Sequence, residues 1–448
     1  MNTTKLPCRI TDKWQLISLM EGYCKPKEKW KIGFEYEKFA YNQCNQLPLT
    51  YYGTPGIVDL FQGLQQFGWL PLWDNGIITR LQKGLSFISI EPGGQLELSS
   101  TPHNNLHQLT NELLTYINEL NLISTNKNVS FLSLGFHPTC RLDEIPRMPN
   151  PNNRSNIICD YIHESGASNI DVVFRACSTQ VSLDFSDEAD MVKKYRVSLA
   201  IQPILTALFS NSPFRNGKHD GYLSCRNSVW NEINLRREII SSIVFEKDFG
   251  FEKYIDHVTA LPLFFIYRDG KYIDTKGQTF QDFLKNSLFA CSEESPTMED
   301  WENHIGTIWP DVRLKNVLEI RGVDSGPASH VCALSAFCVG AMYNQNALDT
   351  IWDIVKKWDS ETRKRLRKEV SYNALNTLVE NNISVRDIAK EILDIVTSSL
   401  NSRREFNHNG NNEAYLLEPL REMIVSGKTL AHTHLEKDVT NLSNFAPF

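Results

Sequence analysis

No stretch of this sequence stays apolar for the roughly 18 residues that a membrane span needs. The longest weakly polar run, Val331–Tyr343, is only thirteen residues long and contains Ser335. The segment Met1–Cys8 lacks the apolar core of a secretory signal. Basic charge is also short, since 46 Lys and Arg face 53 Asp and Glu for a net charge of −7. That argues against a general binder of nucleic acid or of an anionic membrane, while leaving room for a local basic pocket. The ten cysteines include no Cys-x-x-Cys pair, so there is no zinc-ribbon or dithiol signal. There is no Gly-x4-Gly-Lys-Ser/Thr loop, no Gly-x-Gly-x-x-Gly after a strand and no Gly-x-Ser-x-Gly elbow. His103 and His107 stand four apart, but without the glutamate of a zincin helix. These absences lead us to expect a reduced, cytoplasmic protein that uses neither a catalytic triad nor a phosphate loop.

What remains is an ordinary globular composition, 41% hydrophobic and 22% charged, over 448 residues. No internal repeat or long low-complexity linker divides the chain. Pro146–Asn156 and Asn407–Asn412 read as loops. Cys177–Phe185 reads as a strand, with Val181, Leu183 and Phe185 on one face and Gln180, Ser182 and Asp184 on the other. Ser186 reads as the cap of a helix that runs toward Phe209, with Pro203 inside it. Leu261–Tyr267 reads as a buried strand. From Ala347 onward apolar residues recur at three and four, so the last quarter is mainly helical. With no βαβ rhythm, these runs suggest an α+β fold, a mainly antiparallel sheet with helices around it.

Charge is concentrated on the strands. In Ile90–Ser99, Pro92, Gly93 and Gly94 make a tight break that lets the backbone approach a ligand. If a strand follows, Gln95, Glu97 and Ser99 share a face, with Leu96 and Leu98 behind. Gly33–Phe39 places Glu35 and Glu37 on one strand face in the same way. Strand-borne carboxylates, Glu91 included, suit a hard cation such as Mg²⁺, although two half-exposed strands would look the same. Read as one strand, Arg313–Arg321 sets Arg313, Lys315, Glu319 and Arg321 on one face, which is either a solvated edge or a hold for phosphate. Arg154, Arg175 and Arg226 fall in turn-like contexts and could each grip a carboxylate or serve a structural ion pair.

These segments together resemble the glutamate–cysteine ligases of the plant and proteobacterial type. Ile90–Ser99 resembles that family's Glu-Pro-Gly-Gly-Gln-Phe-Glu-Leu-Ser, and Gly33–Phe39 its Gly-x-Glu-His-Glu-Lys-Phe. The likeness continues through Gln180–Met191, Asn211–Phe214, Asp300–His304, Arg313–Lys315 and Arg321–Gly322. The implied fold is that of glutamine synthetase and guanido kinases, a curved antiparallel sheet cradling ATP, metal and substrates. The implied domain plan is one catalytic domain over residues 1–448, with a helical lead-in at 1–30 and a helical part at 345–448.

The implied reaction is ATP-dependent ligation of the γ-carboxylate of glutamate to the amine of cysteine through an acyl phosphate, the first step of glutathione synthesis. Glu35, Glu37, Glu91, Glu97 and Glu319 are implied for Mg²⁺. Arg313, Lys315 and Arg321 are implied for the phosphates of ATP. Glu35, Glu97 and Arg321 would be central to catalysis, and Gln95 would orient a substrate or ligand. Arg154 matches the arginine of Gly-Arg-Tyr-Glu and Arg226 that of Met-Arg-Ser-His-x-Trp, and both would hold glutamate. Thr179, Val181 and Phe264 fall where the family's cysteine pocket lies. The partners implied are small molecules, with no nucleic acid and no membrane, in a monomer or homodimer.

The sequence departs from the family in places. Phe264 replaces a tyrosine, and Asn153–Asn156 departs from Gly-Arg-Tyr-Glu around its arginine, so a ligase with another amine acceptor is one alternative and a non-catalytic homologue is another. Thr275 and Thr110 stand where plant members place the cysteines that would pair with Cys291 and Cys332. The resemblance therefore implies that neither plant-type disulfide switch operates.

Overall fold

A computed structural model describes residues 9–164, 170–232, 240–291, 294–380 and 382–445. Its centre is a nine-stranded sheet: β1 (Ile32–Asn42), β2 (Leu70–Asp74), β3 (Ile77–Lys83), β4 (Ser86–Ile90), β5 (Gln95–Ser99), β6 (Val129–Leu132), β7 (Ser178–Leu183), β8 (Val312–Leu314) and β9 (Leu318–Asp324). The order across the sheet is β8-β9-β7-β1-β5-β4-β3-β2, and β6 pairs with the far end of β1. Every one of these pairings is antiparallel. The antiparallel sheet with outer helices is the expected class.

Strand alternation sorts the two faces. Phe34 and Tyr36 of β1, Leu96 and Leu98 of β5, and Val181 and Leu183 of β7 point into one large apolar core. That core is closed by helices Leu106–Ser124, Glu188–Leu208, Ala328–Met342 and Val385–Arg403. From Val197 to Leu208 the central helix is buried on all sides, as is almost all of Ala328–Met342, which accounts for their weak amphipathic pattern. A second apolar cluster joins helices Lys13–Gly22, Phe251–Thr259 and Met298–Gly306 to the β8–β9 edge. Among the described residues beyond 345 the chain is mainly helical, with the short ladder Leu378–Glu380 with Ile383–Ser384 and a loop over 404–412.

Several boundaries differ from the sequence reading. Arg313–Arg321 is a hairpin rather than one strand, turning through Lys315–Val317, and it sets Arg313 opposite Glu319. The buried strand expected at Leu261–Tyr267 begins only at Phe265 and pairs with Lys271–Asp274. Asp187, not Ser186, caps the central helix, because its carboxylate accepts the amide of Asp190 at 2.9 Å. The loop expected to Asn156 ends early, with a helix running over Arg154–Glu164.

Candidate active site

The outer face of the sheet's middle carries the charge. Glu35 and Glu37 leave β1 on this face, and register places Glu37 directly opposite Glu97 of β5. Like charges opposed across a ladder repel. Glu91 joins them from the turn before β5, where its carbonyl accepts the Gly94 amide at 2.9 Å. All four carboxylates line one cavity of about 260 Å³.

The turn itself is structural. A Cβ on Gly93 would stand 2.1 Å from the Phe174 carbonyl oxygen, and Gly94 has φ +85°. Both positions thus require glycine, but the close approach is to the protein's own backbone rather than to a ligand. Gln95 secures the same junction. Its Oε1 accepts the Gly93 amide at 3.0 Å and its Nε2 donates to the Ala176 carbonyl at 2.9 Å.

Crowding shows in the proton affinities. Burial, then the charge of Glu91, pushes Glu37 up to about 7, although Arg226 and the hydrogen bonds from Ser178 pull the other way. Burial first, then Glu35, Glu91 and Glu37, holds Glu97 well above the ordinary carboxylate range. Burial also raises Glu91, partly offset by Arg154. A site that keeps four carboxylates this close is built to receive positive charge.

Cations stand on the opposite walls. Arg321 of β9 donates to Gln180 Oε1 and lies 3.9 Å from Glu35. Arg226, on the helix Cys225–Glu232, donates to the Arg321 carbonyl at 3.0 Å. Its Nε and the neighbouring Trp230 Nε1 are buried donors with no hydrogen-bond partner among the described residues, and both residues line the cavity. Unsatisfied donors facing a cavity suit an anionic ligand. Arg154 lines the cavity from the start of its helix, over the Phe265 ring, and makes no ion pair with a described residue.

Asp324 braces this wall from behind. It accepts from the Asn211 amide, Ser212 Oγ and Ser224 Oγ at 2.6–2.8 Å. Ser224 leads directly into the helix that carries Arg226, so β9 and that helix are locked together. Nothing in the local sequence pattern around Asp324 signals this role.

Other expected residues sit elsewhere. Glu319 faces cations rather than carboxylates, with Arg313, Lys315 at 3.2 Å and Arg321 at 3.7 Å. Burial alone would raise its pKa, but the three cations pull it down to about 2. It is therefore a counter-ion of the basic hairpin. Arg313 reaches the cavity, whereas Lys315 does not line it. Thr179 and Val181 alternate onto the core face, and Ser178 and Gln180 line the cavity in their place. Phe264 packs behind the wall, 4.5 Å from the Tyr161 ring and 5.8 Å from Trp309, and it is Trp309 that lines the cavity. Arg175 is a buried structural partner of Asp171. The missed lining residues Trp230 and Trp309 form an aromatic side, their rings 6.5 Å apart.

Oxygen donors alone suit a hard cation. Among the described residues no three His, Cys, Asp or Glu side chains already form a metal-holding group. Magnesium commonly takes only one or two protein carboxylates and completes its shell with substrate phosphates and water. The donor set fits an ion of that kind.

The sequence matches glutamate-cysteine ligase family 2 over residues 31–441. It is 40% identical over 420 residues to the chloroplastic glutamate–cysteine ligase B of Oryza sativa subsp. japonica, covering 94% of this chain and 82% of that one. It is 39% identical over 425 residues to the chloroplastic enzyme of Nicotiana tabacum, covering 95% and 79%. The fold is similar to that of a glutamate–cysteine ligase from Francisella tularensis solved with AMP, with a TM-score of 0.55 at 12% identity over 91% of this chain and 84% of that one. The plant relatives are named chloroplastic, which overturns the cytoplasmic expectation. Composition and cysteine spacing do not distinguish one compartment from another. No described helix is long and apolar enough to cross a membrane.

Proposed function

The chain belongs to glutamate-cysteine ligase family 2, and on that premise we propose that its carboxylate-lined cavity is where the family's reaction runs. It is an ATP-dependent ligase that joins the γ-carboxylate of glutamate to the amine of cysteine, the first step of glutathione synthesis. The observation that carries the site assignment is the opposed pair Glu37 and Glu97, with Glu35 and Glu91 beside them, facing Arg154, Arg226 and Arg321 across one cavity.

A carboxylate is a poor electrophile. Transfer of the γ-phosphoryl group of ATP to the glutamate γ-carboxylate makes a γ-glutamyl phosphate. The amine of cysteine then attacks the acyl carbon, a proton leaves the nitrogen, and phosphate departs with the C–O bond. No protein nucleophile is required, so the work is positioning and charge balance. Arg154 and Arg226 hold glutamate as planar two-point donors. Arg313 and Arg321 bind phosphate oxygens, with Glu319 offsetting part of the hairpin's positive charge until they arrive. Lys315, 29% exposed beside Glu319, can swing toward the same phosphates.

Glu35, Glu37, Glu91 and Glu97 would hold Mg²⁺, which when bound offsets phosphate charge. Gln95 acts through the turn it fixes. The aromatic side at Trp230 and Trp309 borders the acceptor, and Phe264 shapes it from behind.

Glutamate labelled with ¹⁸O in its γ-carboxylate tests the acyl-phosphate route. One ¹⁸O atom should appear in phosphate for each γ-glutamylcysteine formed. Unlabelled phosphate would rule that route out.

A further inference from the structure

On the other side of β1 from Glu35 and Glu37, the apolar face is broken by one charged side chain. Lys38 is only 2% exposed. It makes no hydrogen bond or ion pair with any described residue, and its ammonium rests 4.9 Å from the Tyr36 ring and 5.8 Å from the Phe131 ring. An isolated ammonium is costly to bury unless an anion reaches it or it gives up its proton.

Lys38 lines a cavity of about 510 Å³ between β1, β6 and the helix Leu106–Ser124. That volume lies in the roughly 300–1,000 Å³ range of small-molecule sites. Among the described residues no carboxylate lines it. Leu114, Ile117 and Phe131 supply apolar wall, and Asn121 and Ser130 add neutral side-chain donors. The Tyr36 hydroxyl is already committed to the Gly326 carbonyl at 2.8 Å and to Ser133.

We propose that this cavity is a second ligand site that takes a small monocarboxylate with an apolar body, its carboxylate on Lys38 Nζ and its chain against Leu114, Ile117 and Phe131. The lining favours that class over a phosphate ester. One ammonium balances one negative charge, and no second cation is present to balance another. The apolar wall would be wasted on a bare inorganic anion. The site lies on the opposite sheet face from the ligase cavity and does not depend on the reaction assigned there.

Calorimetric titration of the full chain with hexanoate tests this, using acetate and hexylamine as comparison probes and repeating the titration in saturating glutamate. We expect one hexanoate per chain, unaffected by glutamate, at least tenfold tighter than acetate, with no binding of hexylamine. Lys38→Met should weaken hexanoate at least tenfold. Ile117→Trp, which fills the cavity without touching the charge, should do the same and keeps the test decisive if the first variant fails to fold. No binding, equal affinity for acetate, competition by glutamate, or unchanged affinity in a folded variant would each overturn the proposal.

Discussion

Glu37 and Glu97 face each other across two neighbouring strands, an arrangement that weakens the fold in order to equip the site. Their proton affinities give the sign of the effect. A carboxylate whose folded pKa is raised keeps its proton longer in the folded state than in the unfolded chain. Stability is then lost as pH rises from about 4.5 through the folded value, which is about 7 for Glu37. Glu97→Gln removes the charge on the more strongly raised partner and nearly preserves its shape. Without nucleotide, that variant should melt higher than the parent at pH 8 and at about the same temperature at pH 4.5. Its turnover should fall by roughly a thousandfold, the scale of losing one aimed electrostatic group. Thermal melts at the two pH values and a ligation assay check this. A variant that is less stable at pH 8 would contradict the account of the cluster. The candidate carboxylates were legible because strand alternation groups Glu35 with Glu37 and Gln95 with Glu97. Glu319 was misread because its role depends on a hairpin turn at Lys315–Val317, which hydropathy does not mark.

At the scale of an element, β7 shows how one residue of register separates core from chemistry. The strand's own alternation placed Gln180 and Ser182 on one face and Val181 and Leu183 on the other. The motif comparison nevertheless assigned Thr179 and Val181 to the substrate pocket. In the fold Val181 is fully buried in the main core, while Gln180 accepts a hydrogen bond from Arg321 and lines the cavity. Val181→Ala should therefore cost about 2 kcal/mol of stability, by lost burial and a residual cavity, with turnover largely kept below its melting point. Gln180→Ala should leave the melting temperature nearly unchanged and lower turnover through a looser Arg321. Denaturation curves with steady-state kinetics distinguish the two, and the reverse pattern would refute the face assignment. The buried helices carry a muted amphipathic signal for a related reason. Val197–Leu208 of the central helix and almost all of Ala328–Met342 are buried, so neither stretch carries a clear 3.6-residue stripe.

Across the whole molecule, one sheet holds the acidic strands, the basic hairpin and the arginine-bearing helix in a single cradle. Long-range pairing of this kind is not encoded in any local window. β1 finds β5 about sixty residues away and β7 about a hundred and fifty, so the sequence revealed the strands more readily than their order. The same scale decides redox behaviour. Thr110 Oγ1 lies 3.4 Å from Cys332 Sγ, between the helices Leu106–Ser124 and Ala328–Met342. Thr275 donates to the Leu263 carbonyl. Oxidation of the parent protein should produce no intramolecular bridge at Cys332 or Cys291. Thr110→Cys should allow one to Cys332, visible as a mobility shift on a non-reducing gel. A bridge in the parent at either position would contradict this.

The most direct test of the central claim is Mg²⁺-dependent ADP release from glutamate and ATP, with and without cysteine, beside a panel of other amines under reducing conditions. The account predicts strong stimulation by cysteine, with γ-glutamylcysteine identified by mass spectrometry. Stimulation by a different amine and not by cysteine, or no release from folded protein with any acceptor, would contradict it.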